Sequence, residues 1–180
     1  MLVRLLPLAV ILAAPAAAQP GPGAAPPAAA PLRGPPAAAC PPPPGFAAWT
    51  KPMPMVAADH LATAPLPELD LGRAAVLALA PSEKLRYAAK PGKAGGAPSY
   101  GGLIAFTAPR AGRYRIALGA PAWLDVVRRG RVLRSTAHAH GPACGTVRKL
   151  VDFTLAPGRY TLQLAAAPAP TLTLMVVRQP

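Results

Sequence analysis

From Leu71 onward the chain alternates apolar and polar side chains with period two, and Pro or Gly ends each run before it reaches helix length. That pattern marks half-buried strands, because successive side chains of an extended backbone point to opposite faces. Tyr114, Ile116 and Leu118 alternate with Arg113, Arg115 and Ala117, and Tyr160, Leu162 and Leu164 alternate with Arg159, Thr161 and Gln163. Val147, Lys149, Val151, Phe153 and Leu155 line one face of another run, while Leu172, Leu174 and Val176 face away from Thr171 and Thr173. Further strand candidates are Ala74 to Leu79, Lys84 to Tyr87, Leu103 to Thr107, Trp123 to Val127 and Arg131 to Ser135. No link between them offers the roughly 10 to 15 helical residues of a parallel crossover. The expected fold is all-β, an antiparallel β-sandwich or jelly roll of about nine strands.

The residues ahead of this region cannot join a core. Residues 19–45 are Pro, Ala and Gly, broken only by Gln19, Leu32, Arg33 and Cys40, and consecutive prolines favour a solvated polyproline II rod. They read as a disordered linker before a sandwich domain at 46–180, with Phe46, Trp49, Met53 and Met55 expected to pack on the domain edge. Residues 1–18 read as a secretory signal peptide: a basic start ending at Arg4, an apolar stretch from Leu5 to Leu12, then Ala16, Ala17 and Ala18 as a small-residue cleavage pattern. The apolar stretch is too short for a membrane span, which takes about 18 residues or more. The expected location is periplasmic or secreted.

An oxidising compartment makes a Cys40–Cys144 disulfide the expected state of the two cysteines, the alternative being two unpaired buried thiols. Closing a loop of about 100 residues contributes on the order of 4 to 5 kcal/mol in the chain-entropy treatment.

With 19 Lys and Arg against 6 Asp and Glu, the chain carries a formal charge of +13. Nucleic acid is the usual partner of such a balance, but an exported chain meets little of it. Anionic envelope glycan, lipopolysaccharide or an envelope protein is the expected partner, and a GC-rich codon bias is the ordinary alternative, since Arg outnumbers Lys and Asn is absent.

An internal repeat supports the sandwich. The run from Phe106 to Leu118 through Pro109, Gly112, Arg113 and Tyr114 matches the run from Phe153 to Leu164 through Pro157, Gly158, Arg159 and Tyr160. Each is strand, turn, then Gly-Arg-Tyr, with the ring placed to lie on the core and its hydroxyl at the rim. These two Gly-x-Tyr entries, with Trp123 to Leu133 between them, resemble the pre-peptidase C-terminal type of bacterial β-sandwich over roughly Leu103 to Val176. That resemblance implies an exported accessory that binds or stabilises. The chain also resembles small exported bacterial proteins that bear the label homogentisate 1,2-dioxygenase. Enzymes of that name are larger cytoplasmic cupins holding ferrous iron with two His and one Glu; this chain lacks that pattern, so the label is expected to be a transferred one.

Candidate chemistry is sparse. His138 and His140 at i and i+2 on a strand face the same way and suit a metal such as Fe or Zn, with Cys144 as a third ligand if it is free. The ordinary reading is a solvated loop beside the bridge. Ser82, Ser99 and Ser135 show no nucleophile turn. Asp125 alternates with Trp123 and Val127 as the one acid placed inward, where an ion pair with Arg128 or Arg148 is the simple account. Gly95, Gly96, Gly101 and Gly102 read as part of a mobile loop from Lys90. Arg113, Arg115, Arg128, Arg129, Arg131 and Arg134 sit on neighbouring strands and one hairpin, able to form a basic ligand-binding patch, with Trp123, Trp49 and Tyr100 as stacking surfaces. The expectation is an envelope binding or accessory module with no catalytic residues and no cofactor. The alternative is a small metal-binding protein using His138 and His140, with dioxygenase-type chemistry.

Overall fold

The alternation past Leu71 builds two facing sheets. The computed structural model describes residues 40–61, 65–93 and 95–180; the expected signal peptide (1–18) and most of the expected linker (19–45) lie outside the described residues. The first sheet runs, edge to edge, β1 (Met53–Val56), β2 (Ala74–Ala78), β11 (Thr171–Arg178), β5 (Gly112–Leu118), β9 (Lys149–Leu155) and β8 (Ala137–Ala139). The second runs β3 (Ala80–Pro81), β4 (Tyr100–Ala108), β10 (Gly158–Ala167), β6 (Trp123–Arg128) and β7 (Arg131–Leu133). All strand pairings are antiparallel except β1 with β2. The all-β sandwich expected from the periodicity is the fold.

The inward sides are the ones the alternation marks. Phe106 of β4, Tyr114 and Ile116 of β5, Phe153 of β9, Tyr160 and Leu162 of β10, and Leu174 and Val176 of β11 share one buried cluster. Both outer faces are also partly covered. Phe46 and Trp49, in and beside a short 3-10 turn (Ala47–Thr50), pack on Ala117, Leu150, Met175 and Val177 of the first sheet. Leu66 covers Leu103 and Ala105 of the second.

Four local expectations change. Lys84 to Tyr87 is not a strand: Ser82–Lys84 form a 3-10 turn, after which the Arg86 N–H donates to Asp59 O at 2.8 Å. The short edge strands β1, β3 and β8 appear instead, held by a single neighbour each. A parallel pair forms without a crossover helix, because the chain between β1 and β2 passes over to the second sheet, where Ala58 bridges Leu103 and Glu68 bridges Ala105. Gly101 and Gly102 belong to β4 and not to a loop. A side chain on Gly101 would meet Leu164 O, and one on Gly102 would meet Ala57 Cβ at 2.5 Å, so close backbone approach explains them.

The repeat becomes two matching corners, each carrying the chain from one sheet to the other. Tyr114 donates its hydroxyl to Arg110 O and Tyr160 to Ala156 O, both at 2.7 Å and both four residues back. Gly112 (φ 152°) and Gly158 (φ 144°) open the strands that follow, in a backbone region where other residues are strained. An arginine caps each glycine: Arg178 lies over Gly112, and Arg128 over Gly158. Cys40 and Cys144 form a disulfide with their Cα atoms 5.4 Å apart, tying residue 40 to the loop after β8. No helix among the described residues is long and apolar enough to cross a membrane.

Candidate functional site

Both corners close the same end of the sandwich, since Gly112 of β5 pairs with the last residue of β9 and Gly158 of β10 pairs with the last residue of β4. Strands β6 and β11 finish there too, at Arg128 and Arg178. The topology therefore gathers arginines from five separate stretches: Arg110 in the first corner, Arg113, Arg128 to Arg131 in the β6–β7 hairpin, Arg159, and Arg178. The hairpin turn is two residues, Arg129 (φ 49°) and Gly130 (φ 73°), which leaves Arg129 and Arg131 in solvent.

Not all of these guanidinium groups are free. Arg128 stands 5.1 Å from the centre of the Tyr160 ring and donates to the Tyr160 hydroxyl (3.0 Å) and to Pro157 O (2.9 Å). Arg115 grips the buried Asp152 with two bonds of 2.6 and 2.7 Å, which raises its already high pKa. Arg159 meets Glu68 at 3.2 Å. The Glu68 carboxyl is held below its ordinary value, first by the Thr107 hydroxyl at 2.6 Å and then by Arg159. Among the described residues, Arg110, Arg113, Arg129, Arg131, Arg134 and Arg178 meet no carboxylate. Of the arginines expected to bind ligand, Arg113, Arg129 and Arg131 thus present open forks, whereas Arg115 and Arg128 are committed to the fold. Arg159 and Arg178 also reach this end, the first from the Gly-Arg-Tyr triplet of the repeat and the second, outside the repeat, as the last residue of β11.

The opposite end is built around Trp123. Asp125 is buried, but on the outer face of the second sheet, because Leu124 and Val126 take the inner face. Its carboxylate accepts from the Trp123 indole N–H (2.8 Å), the Gln163 amide (3.2 Å) and the Gly92 N–H (3.2 Å). The expected ion pair with Arg128 or Arg148 is replaced by this neutral set. Gln163 in turn accepts from the Ala89 N–H at 3.0 Å, so the stretch before Gly92 is pinned over Asp125. Lys149, inward by its alternation, donates to Ala122 O at 2.9 Å and stands 5.4 Å from the Trp123 ring centre. Burial pushes its ammonium below the usual lysine range.

His138 lies on β8 opposite Val151, at an opening that it lines together with Trp123, Leu124 and Lys149, while His140 follows the strand in solvent. Cys144 is oxidised and supplies no ligand, and among the described residues no three His, Cys, Asp or Glu converge. The donor set that ferrous iron takes in the enzymes of the dioxygenase label is not assembled by these residues. Ser82 and Ser99 share a hydrogen bond of 2.8 Å with each other. Trp49 is buried on the first sheet, donating its indole N–H to Thr146 Oγ1 at 2.8 Å, and Tyr100 packs against the core between the sheets whereas Trp123 shares the outer face with Asp125, so neither joins Trp123 in one stacking surface.

No protein-family model matches the chain, and no curated protein matches it either. Among solved structures, the chain is similar to the pre-peptidase C-terminal domain of collagenase from Bacillus anthracis, at 13% identity and a TM-score of 0.37, over 61% of this chain and 92% of that one. The resemblance read from the Gly-x-Tyr entries has its counterpart in that likeness.

Proposed function

We propose that this protein is an exported accessory module of the cell envelope, without catalytic activity, that holds anionic glycan such as the phosphorylated part of lipopolysaccharide. The carrying observation is the end of the sandwich where Arg110, Arg113, Arg129, Arg131 and Arg178 meet no carboxylate among the described residues. Guanidinium forks match phosphate and carboxylate in two-pronged geometry, and several on one rigid end act together. The Cys40–Cys144 disulfide fits an oxidising compartment, and the pattern of residues 1–18 supplies the route there.

The test is retention on immobilised lipopolysaccharide. Wild-type protein is expected to bind and to elute with salt, because exposed ionic contacts are screened. The triple variant Arg113→Gln/Arg129→Gln/Arg131→Gln is expected to pass through, and a neutral glycan column is expected to retain neither. Equal retention of the triple variant would place binding elsewhere and end the proposal.

A further inference from the structure

The opening at the Trp123 end is not used by the arginine-mediated reading above. It has a volume of about 330 Å³ and is lined by Trp123, Leu124, Ser135, His138, Lys149 and Val151. Three features make it a built site. First, the wall is rigid: the Trp123 indole is fixed by Asp125, and a side-chain atom on Gly92 would lie 2.6 Å from its ring carbon Cζ2, so Gly92 lets the loop close against it. Second, the floor is apolar, from the inner faces of Leu124 and Val151. Third, polar groups gather at the rim with unused capacity. The Lys149 ammonium has three N–H donors and one protein acceptor among the described residues, Ala122 O at 2.9 Å. The Ser135 hydroxyl and the His138 ring have no protein hydrogen bond among those residues.

From this arrangement we propose that the opening between Trp123 and Lys149 binds a small amphipathic carboxylate, its headgroup on Lys149, Ser135 and His138 and its apolar body on Leu124, Val151 and the indole. Lys149 is the cation among the lining residues, and the nearby Asp125 carboxylate is turned to the Trp123 indole, Gln163 and Gly92, so the free donors of the ammonium are left to match a single negative charge. The apolar floor gains from covering a hydrocarbon body and gains nothing from a fully hydrated inorganic anion. Because the wall and the ammonium are already held in place, little ordering opposes binding.

Isothermal titration of hexanoate into the full chain tests this, with hexan-1-ol, hexylamine and acetate as companions at equal ionic strength. Hexanoate is expected to give a saturable one-site heat, with the three companions weaker by about tenfold or more. Lys149→Met is expected to weaken hexanoate by a similar factor. Ser135→Leu, on the exposed link between β7 and β8, is expected to do the same by crossing the mouth, and covers the case in which Lys149→Met fails to fold. Arg113→Gln/Arg129→Gln/Arg131→Gln is expected to bind hexanoate as wild type does, which separates this site from the arginine end. No saturable heat with wild-type protein, equal binding of hexylamine, or unchanged affinity in both Lys149→Met and Ser135→Leu overturns the proposal.

Discussion

Phe106 of β4 lies directly opposite Tyr160 of β10, with ring centres 5.5 Å apart. The other half of the repeat supplies the same pair, Phe153 of β9 opposite Tyr114 of β5. Each pair joins the leading aromatic of one copy to the tyrosine of the other, so the two corners interlock across both sheets. The two copies of the strand, turn and Gly-Arg-Tyr repeat thus share one core, and their corner hydroxyls hold the end on which the free arginines stand.

Removing those hydroxyls therefore tests the corner itself. Tyr114→Phe loses one hydrogen bond to a carbonyl in an exposed turn, and about 1 kcal/mol of stability is the expected cost. Tyr160→Phe loses the matching bond and also the one from Arg128, so its cost is expected to be larger. Urea unfolding of both variants checks the order; an unchanged midpoint for Tyr160→Phe would show that the corner bond contributes nothing.

Arg115 and Asp152 form an ion pair directly across β5 and β9, with the carboxylate almost fully buried. Arg115→Met is expected to cost about 2 to 3 kcal/mol, because it strands a buried charge, discounted for the partly exposed arginine. The double variant Arg115→Met/Asp152→Leu is expected to recover most of that loss. Chemical denaturation of the single and double variants decides between them, and a double variant no better than the single would mean that the pair itself supplies the stability.

What the chain reveals before folding follows from how local each cause is. The strands of Tyr114 to Leu118 and Leu172 to Val176 are legible because one inward face sets their period. Strand β1 is not, because Met53, Pro54, Met55 and Val56 show no alternation and pair only through the long link to β2. Asp125 was readable as buried, but its partners Gly92 and Gln163 are far away in the chain, and nothing nearby distinguishes them from arginine. That Arg113, Arg129 and Arg131 meet no carboxylate among the described residues while Arg115 and Arg128 are committed to the fold is equally invisible locally, since all five read as outward positions. Lys149 was placed inward by parity, yet the opening it borders exists only where β6 and β9 begin at the same end of the two facing sheets.

Glu68 predicts a specific pH dependence. Its folded pKa is depressed below the ordinary 4.5 by Thr107 and then Arg159, so its contribution is complete above that value and lost as pH falls through the folded pKa. Because the pair is exposed, the contribution is expected to stay within about 1 kcal/mol. Glu68→Gln should lower the neutral plateau by up to about that amount and leave stability below the folded pKa unchanged, so that its acid limb is flatter than that of wild type. Unfolding midpoints collected on either side of pH 4.5 check the sign: a Glu68→Gln curve parallel to wild type throughout would exclude it.

The disulfide offers the last test, since the segment from residue 40 reaches the first sheet through Phe46 and Trp49, and the loop it is bonded to carries Thr146, the partner of the Trp49 indole. Reduction frees both sides of that contact at once, and the loop-entropy treatment puts its cost at about 4 to 5 kcal/mol. The chain has 2 Trp, so its folded state shows two indole N–H resonances. Reduction, or Cys40→Ser/Cys144→Ser, is expected to shift the Trp49 resonance and to leave that of Trp123, fixed by Asp125 at the far side of the second sheet, in place. If both resonances stay, the packing of Phe46 and Trp49 holds the segment by itself and the bridge acts only on the unfolded chain; if both move, the two tryptophan environments are coupled through the core.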